Sequence, residues 1–309
     1  MPFDAMQLSW AEAPAHAGSP FAPETGREFL RCYNRQSFAF RHSLSEHPLF
    51  QPPSLAEMAK RQGDQPDVAY WSNGTVQVKD RWEKGATKSR SLDDTIAGID
   101  ENNSLVMFKH VERDNILGPL ISEIIVQIVE LCGSRMQLDV IVGRATILLA
   151  SPHRITSYHI DADTNFLFQI AGDKTIRVFD QTDRTLLTDE ELERYHAGDA
   201  NGATYKAARG DDANIYALAP GCGVHIPSQA PHWAQNNGKV SVALSLNYDL
   251  RSVQRDGRIY SINGRLRRLG MKPTPPGVSA VRDQVKLFIS GNVHALRRVA
   301  SFASPERHH

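Results

Sequence analysis

The most regular hydrophobic pattern in the chain lies between residues 119 and 131 and predicts an amphipathic helix. Pro119 suits the first turn of such a helix, and Gly133 suits the position just after its end. Apolar residues recur three or four positions apart, as expected for one buried helix face: Leu120, Ile121, Ile124, Ile125, Ile128 and Val129.

From about residue 138 to residue 248 the pattern changes to short β-rich runs separated by turn residues. The runs cover 139–149, 154–161, 165–171, 174–180, 213–218, 223–227 and 240–248. Many short strands at this spacing are typical of a β-sandwich or a small barrel. An insertion at 181–211 interrupts them, and a capping-box-like pattern beginning at Thr188 predicts a helix within it.

This pattern suggests a barrel with two flanks. We expect residues 1–103 to pack on a barrel formed by 104–254, with 255–309 as a C-terminal helical extension. In the extension, an amphipathic helix is expected from Ser279. Its apolar face packs on the core or forms a homodimer, through Val281, Val285, Phe288 and Ile289.

The N-terminal flank carries three local signals. Ser54 and Ser91 each precede a helical pattern and are candidate helix N-caps. The segment 67–80 predicts two strands joined by a hairpin turn at Asn73-Gly74.

Composition narrows the classes of function. The 309 residues carry 35 basic and 35 acidic side chains, so the formal net charge is +0. A general nucleic-acid binder needs surplus cations to displace counterions from phosphates, so that class is disfavoured, although a local basic patch stays open. No apolar run reaches the roughly 18 residues that cross a bilayer, and the N-terminus lacks a secretory pattern. We therefore expect a cytoplasmic protein without a membrane segment.

Two histidines and one aspartate give the clearest chemical signal. His159 and Asp161 are two residues apart, so in an extended strand their side chains point to the same face. His232 follows 73 residues after His159, which fits a barrel where distant strands become neighbours. Two imidazoles and one carboxylate form the facial triad that holds non-haem Fe(II) and leaves coordination positions open. The alternative, a core histidine beside an unrelated turn aspartate, leaves the inward-facing pair unexplained.

A second group of residues points to a dicarboxylic acid. Lys174 opens a predicted strand, and a lysine inside a barrel can pair with the distal carboxylate of an acid whose other end chelates iron. Thr156 can add a hydroxyl donor, while Asn165 and Asn247 can hydrogen-bond the cosubstrate or an iron-bound carboxylate. Taken alone, Lys174 would be interpreted as a solvated lysine at a strand end.

The block from Thr156 to Lys174 resembles the JmjC/cupin-like Fe(II)- and 2-oxoglutarate-dependent oxygenases. It is most similar to the asparaginyl-hydroxylase branch typified by the factor inhibiting hypoxia-inducible factor. That branch has a threonine three residues before its first metal ligand, an asparagine six after it and a lysine fifteen after it, as Thr156, Asn165 and Lys174 do here. It also has an asparagine fifteen residues beyond its distal histidine, which Asn247 matches. The resemblance covers roughly residues 100 to 250.

The resemblance implies a mainly β fold, a double-stranded β-helix of the cupin or jelly-roll type with flanking N- and C-terminal helices. It implies Fe(II) held by His159, Asp161 and His232, and 2-oxoglutarate bound through Lys174 and Thr156. The implied reaction hydroxylates an unactivated C–H bond of a protein, peptide or amino-acid-like substrate, with succinate and CO2 as coproducts. Because the flanks do not align with the family, the substrate itself is left open.

Two other classes of function fit the same residues. One is a cupin metalloenzyme that does not use 2-oxoglutarate, and the other is a non-catalytic, cupin-like regulatory protein that binds a ligand. A demethylase is a variant of the oxygenase hypothesis, since hydroxylation of an N-methyl group releases formaldehyde.

Several other polar and aromatic residues are expected to have structural roles only. We interpret His225 as a strand histidine, Trp233 and Tyr248 as core aromatics, and Arg265-Leu-Arg-Arg268 as a solvated face.

Overall fold

The computed structural model of the chain describes residues 19–22, 25–65, 67–82 and 90–303, with side chains described up to residue 291. Residues 1–18 of the predicted N-terminal flank lie outside this description. The described part forms two antiparallel β-sheets with helices before, between and after their strands. None of the helices in these ranges offers an apolar stretch that could span a bilayer.

The helices and strands alternate along the chain. The helices are α1 (Thr25–Cys32), α2 (Pro52–Gln62), α3 (Leu92–Ala97), α4 (Gly118–Cys132), α5 (Ser134–Asp139), α6 (Asp189–His196), α7 (Arg251–Arg268) and α8 (Ala280–Ala303). The strands are β1 (Phe38–Arg41), β2 (Ala69–Ser72), β3 (Leu105–Lys109), β4 (Val140–Ala150), β5 (Ile155–His159), β6 (Thr164–Ala171), β7 (Lys174–Val178), β8 (Asn214–Leu218), β9 (Cys222–Ile226), β10 (His232–Asn236) and β11 (Ser241–Leu250).

Strands that are distant in sequence become neighbours in both sheets. The larger sheet has seven strands in the order β1-β9-β6-β11-β4-β3-β2, and the smaller has four in the order β5-β10-β7-β8. Strand β10 lies between β5 and β7, and β11 lies between β4 and β6. Side chains from both sheets line one shared cavity, so the sheets face each other as in a jelly roll. The predicted fold class, a double-stranded β-helix with flanking helices, is confirmed.

Strand β6 shows how the larger sheet separates the hydrophobic core from this cavity. Phe166 and Phe168 point to one face and are fully buried in the main core, which also contains the apolar face of α4. Asn165 and Leu167 point to the opposite face and line the cavity. The period-two alternation of a strand therefore gives β6 one apolar face for folding and one face for binding.

The helix predicted at 119–131 is α4, and two predicted caps are confirmed. Gly133 ends α4 with a φ of 72°, a backbone conformation that glycine adopts without strain. Ser91 caps α3 by accepting a hydrogen bond from the backbone N–H of Asp94, and Thr188 begins α6 with a complete capping box. Ser54 does not cap a helix, because α2 begins earlier, at Pro52, where proline suits the first turn.

The hairpin predicted at Asn73-Gly74 is wrong. Strand β2 pairs instead with β3, and no regular strand follows Gly74 in 75–80. The side chain of Asn73 is buried, and its amide donates hydrogen bonds to Thr95 and Ser104. These tertiary contacts fix the asparagine in the protein interior, and they outweigh its local preference for an exposed two-residue turn.

The basic segment after residue 250 is the long helix α7, most of which lies in the expected C-terminal helical extension, although the sequence analysis identified an amphipathic pattern only from Ser279. Its buried side is formed by Ile259, Tyr260 and Ile262. A Cβ atom at Gly257 would come within 2.5 Å of the His196 ring, so this glycine lets α7 approach the end of α6. Six arginines, of which Arg265 and Arg267 are half-buried and the rest exposed, hide the amphipathic pattern in the sequence.

Candidate functional site

The cavity between the two sheets has a volume of about 320 Å³. This volume lies at the lower end of the range for small-molecule sites. Most of its wall is apolar. The polar side chains on it include the cluster of His159, Asp161 and His232, and Lys174 with Asn236, its neighbour on β10.

The register of β5 and β10 brings the two histidines together. His159 ends β5, His232 begins β10, and the two residues face each other directly in the antiparallel pair. Their ring centroids are 4.2 Å apart. Asp161 follows two residues after His159, and its Oδ2 atom lies 3.6 Å from Nε2 of His159 and 3.7 Å from Nε2 of His232.

Backbone carbonyls fix the orientation of both imidazole rings. Nδ1 of His159 lies 2.7 Å from the carbonyl oxygen of Ser157, and Nδ1 of His232 lies 2.9 Å from that of Ala230. Because a carbonyl can only accept, each Nδ1 carries the proton and each Nε2 keeps its lone pair in the neutral ring. This is the arrangement by which outer partners orient histidines that ligate a metal.

The charges at this site suit a cation. Burial raises the pKa of Asp161, but His159 opposes it and the pKa is lowered to about 2, so the group is a carboxylate at neutral pH. Burial and the neighbouring His159 lower the pKa of His232 to about 4, so this ring is neutral. Burial lowers the pKa of His159, yet the Asp161 carboxylate outweighs it and the net shift is upward.

The donor set fits a divalent transition metal. Two imidazole nitrogens and one carboxylate oxygen lie within 4.8 Å of one another, and they form the one such cluster found among the described residues. Two histidines and one carboxylate are the ligand set of non-haem Fe(II) centres. The residues present therefore fit the metal that the sequence pattern implied.

Lys174 places a positive charge deep in the cavity. It begins β7, its side chain is buried, and it lines the cavity wall. Burial lowers the pKa of its ammonium to about 8, and no charged neighbour offsets that effect. No carboxylate in the described ranges forms an ion pair with Lys174. An ammonium without a counter-charge in a low-dielectric cavity is costly, so this part of the cavity is suited to an anion.

Three polar side chains form a network on the floor of the cavity, which is formed by β6 and β11. The Asn165 amide donates hydrogen bonds to Ser245 (2.6 Å) and to Asn247 (2.8 Å), and the Ser245 hydroxyl donates to Asn247 (2.7 Å). Oδ1 of Asn165 is buried without a partner among the described residues. Thr156 lies on the facing sheet and also lines the cavity. The network leaves hydrogen-bonding capacity for a ligand.

The mouth of the cavity contains residues that the sequence pattern did not indicate. The Trp82 ring lies 6.0 Å from the His159 ring and stacks on Tyr70 at 5.8 Å. The insertion contributes Tyr195, from α6, and Ala200 to the wall. The Tyr195 hydroxyl accepts a hydrogen bond from the backbone N–H of Ala162, next to Asp161. No periodic pattern marks these positions, because they belong to loops and to an inserted helix.

His225, Tyr248 and Trp233 were expected to have structural roles, and all three are buried in the protein interior. His225 is fully buried and stacks on Phe166, with its ring nitrogens bonded to the Asn165 carbonyl and the Asn34 N–H. Tyr248 is fully buried in the main core. Trp233 is buried, and the Arg177 guanidinium lies over its ring.

Comparisons with known proteins support the fold. Neither a scan against protein-family models nor a search of curated proteins gave a match. Among solved structures, the ribosomal oxygenase YcfD from Escherichia coli is similar, with a TM-score of 0.51, 13% sequence identity, and coverage of 89% of this chain and 67% of that chain. A structure of YcfD in complex with cobalt and 2-oxoglutarate also has a TM-score of 0.51, with 14% identity and coverage of 94% and 74%. At such identities the likeness establishes the fold, and the resemblance to the asparaginyl-hydroxylase branch stays a prediction.

The buried ammonium gives a testable prediction about stability. Lys174→Met should raise the free energy of unfolding by ~1–3 kcal/mol at about pH 7 in buffer free of metals and dicarboxylates. The pKa of Lys174 is about 8 in the folded protein, below its ordinary value of 10.5. The buried charge therefore destabilises the fold to its full extent at a pH below about 8. This destabilisation disappears as the pH rises from about 8 through 10.5, because over that range the unfolded chain binds more protons than the folded protein does.

Urea unfolding of both proteins at about pH 7 and about pH 10 measures this effect. The advantage of Lys174→Met should shrink markedly at the higher pH. Lys239→Met, at an exposed lysine, is the matched control and should show neither the gain nor the pH dependence. A Lys174→Met protein no more stable than the parent at about pH 7 would mean that the ammonium is solvated.

Proposed function

We propose that the protein is an Fe(II)- and 2-oxoglutarate-dependent oxygenase that hydroxylates a C–H bond of a protein, peptide or amino-acid-like substrate. The observation that carries the proposal is the presence of two complementary sites in one small cavity. A two-histidine, one-carboxylate cluster with a partly exposed Asp161 lines the cavity, and the buried ammonium of Lys174, without a counter-charge, lines the same cavity. A keto acid with a second carboxylate is the ligand class that can reach both.

His159, Asp161 and His232 would hold the iron through two Nε2 atoms and a carboxylate oxygen. When bound, Fe(II) with 2-oxoglutarate supplies the activation of dioxygen, in which the keto acid becomes succinate and CO2 and one oxygen atom goes to the substrate. The protein's own part is to orient these groups. The carbonyls of Ser157 and Ala230 do so by holding the two rings.

Lys174 would bind the distal carboxylate of the cosubstrate. A carboxylate beside the ammonium would restore the charged form that burial disfavours, so binding would raise the pKa of Lys174 from about 8. Thr156 can donate its hydroxyl to the same carboxylate, and Asn165 with Asn247 can hydrogen-bond the end nearer the metal. Together these contacts fix the position of the keto acid relative to the iron.

The rest of the cavity wall would exclude water from the reacting groups. It consists largely of apolar side chains: Leu105, Met107, Leu148, Leu167, Ile176 and Ile226. Exclusion of water strengthens the Lys174–carboxylate interaction and protects reactive species from side reactions. Lys174 is the only lysine or arginine among the described residues of this wall, so the position of the ammonium sets the orientation of a bound dicarboxylate.

A protein substrate is the form of the proposal that we favour. Trp82 and Tyr195 lie at the mouth of the cavity and offer aromatic surfaces beside the metal ligands. The similar structure, YcfD, is a ribosomal oxygenase. A side chain that projects from a polypeptide could enter this mouth while the peptide backbone stays outside.

Turnover provides the direct test of the proposed function. Supplied with Fe(II), ascorbate and 2-oxoglutarate, the protein should convert 2-oxoglutarate to succinate with matched oxygen uptake. His232→Ala should abolish this activity through loss of the metal, and Lys174→Ala should reduce it about 100-fold, because a buried charge-assisted contact is lost. Two exposed residues supply the controls, His153→Asn and Lys239→Ala, which should retain the parent activity.

Each other outcome points to a different class of protein. Metal-dependent oxygen uptake without succinate would contradict the proposal and favour a cupin metalloenzyme that does not use 2-oxoglutarate. Binding of 2-oxoglutarate without any turnover would favour a regulatory binding protein. Formaldehyde release with a methylated substrate would identify the demethylase variant.

We further propose that a second copy of the chain covers the exposed apolar face of α8. This face carries four well-exposed apolar side chains: Val281, Val285, Phe288 and Ile289. A face of this kind on one side of a long helix is self-complementary in a twofold dimer. Lys286 and Asp283, on the other side of α8, are buried against the rest of the protein and hold the helix in place.

Substitution on this face tests the dimer. Val285→Glu/Phe288→Glu should convert a dimer to a monomer in size-exclusion chromatography with light scattering, because the buried interface would contain unpaired carboxylates. Leu138→Glu, at a well-exposed apolar residue outside α8, is the control and should leave the mass unchanged. A monomeric parent protein at high concentration would refute this part of the proposal.

A further inference from the structure

Helix α7 concentrates positive charge in a chain whose formal net charge is +0. Its 18 residues contain six arginines and one acidic residue, Asp256. Such segregation requires an explanation, since unpaired like charges on one helix repel each other. The partners of each arginine distinguish those that stabilise the fold from those that do not.

Three of the six arginines have structural partners. Arg251 donates to the backbone carbonyl of Val140. Arg255 lies 3.5 Å from the buried carboxylate of Asp283 on α8. Arg267 pairs with two glutamates of α6, Glu193 at 2.7 Å and Glu190 at 2.8 Å. These three side chains tie α7 to its neighbours.

The other three arginines line one groove. Arg258, Arg265 and Arg268 all face a depression of about 650 Å³ along α7. No carboxylate of the residues with described side chains pairs with any of the three, and Arg268 contacts only the carbonyl of Gly264 in its own helix, at 3.3 Å. The unpaired arginines are therefore the ones that share a groove, which is the arrangement of an anion-binding surface.

The groove is separated from the metal cavity by a single wall. Tyr195 faces the cavity, whereas the next residue, His196, faces the groove. Ala162 and Asp163, directly after the proposed ligand Asp161, form another part of the groove wall. The Tyr195 hydroxyl and the Ala162 N–H join these two segments at 2.9 Å. A polypeptide whose side chain enters the cavity therefore has the groove within reach.

We propose that this groove, here called the α7 groove, binds an acidic segment of the polypeptide substrate that flanks the residue to be modified. The proposal rests on the proposed function, because it assumes that the substrate is a polypeptide. Arg258 and Arg265 are separated by about 10.5 Å along the helix axis, from a rise of 1.5 Å per residue. A peptide in the extended polyproline II conformation has three residues per turn and advances about 3.1 Å per residue, so carboxylates three residues apart share one face and lie about 9.3 Å apart, close to this separation.

An acidic peptide fits the α7 groove better than a nucleic-acid backbone does. Asp163 and Asp249 also line the groove, where they share the guanidinium of Arg144 at 3.3 Å and 2.7 Å. A chain with a phosphate at every step would bring charge against these carboxylates, whereas a peptide can place neutral residues there. The zero net charge of the protein also gives little general attraction for a polyanion.

Binding of simple charged probes tests the α7 groove. Fluorescence anisotropy would compare fluorescein-labelled octaglutamate with octaglutamine and with octauridylate, at low salt, on the full chain. The groove variant is Arg258→Gln/Arg265→Gln/Arg268→Gln. Its affinity for octaglutamate should fall about tenfold, since each partly exposed ion pair contributes only a few-fold.

Two further variants separate groove binding from general electrostatics. The control variant Arg27→Gln/Arg113→Gln/Lys239→Gln removes the same charge from exposed positions elsewhere and should change the affinity less than about twofold. The reversal variant Arg258→Glu/Arg265→Glu/Arg268→Glu should lose octaglutamate and acquire affinity for octalysine. Thermal unfolding of each variant verifies that the fold is retained.

The outcomes decide between the alternatives. Equal loss of affinity in the groove and control variants would overturn the proposal, as would the absence of octaglutamate binding. Tighter binding of octauridylate than of octaglutamate, lost in the groove variant, would assign the groove to nucleic acid. Succinate formation without substrate should be unchanged in the groove variant, because the three arginines lie outside the metal cavity. Loss of that activity in the parent protein would instead refute the proposed function.

Discussion

The ammonium of Lys174, buried without a counter-charge, is the constraint on which the proposed chemistry depends. It lies on the cavity wall at the start of β7, and burial lowers its pKa to about 8. A methionine of similar length would fill this space at lower cost. A fold that keeps a lysine there gives up stability, and binding of an anion can recover it. The cluster of His159, Asp161 and His232, which we propose holds the metal, then determines which anion fits, since one carboxylate must reach Lys174 while the opposite end reaches that metal.

The β-sandwich makes this arrangement possible by joining distant parts of the chain. The antiparallel pairing of β5 with β10 sets His159 opposite His232, and the pairing of β10 with β7 sets Asn236 beside Lys174. Both the metal cluster and the ammonium are therefore positioned by the same central strand, β10. The apolar faces of the larger sheet and of α4 stabilise this framework from the side away from the cavity.

Much of this could be predicted from the sequence, and the limits have physical causes. The short β-rich runs predicted a β-sandwich or small barrel, and the family resemblance implied the double-stranded β-helix. The period-two spacing of His159 and Asp161 predicted that their side chains share a face. Trp82 and Tyr195 could not be predicted, because loops and inserted helices place side chains by tertiary contact rather than by periodicity.

The hairpin predicted at Asn73-Gly74 was wrong, because the buried hydrogen bonds of Asn73 outweigh a local turn preference. Arg265 and Arg268 were interpreted as a solvated face, since a sequence does not reveal which arginines lack partners. The division at residues 103 and 254 and the cytoplasmic location stay predictions.

A structure of the protein crystallised with Mn²⁺ and 2-oxoglutarate tests the central claim most directly. Anomalous scattering would locate the metal, and the difference density would locate the keto acid. The account predicts one metal ion bonded to Nε2 of His159, Nε2 of His232 and a carboxylate oxygen of Asp161. It also predicts the distal carboxylate of the keto acid in hydrogen-bonding contact with Nζ of Lys174. A metal bound elsewhere, or a keto acid whose carboxylates both avoid Lys174, would contradict it.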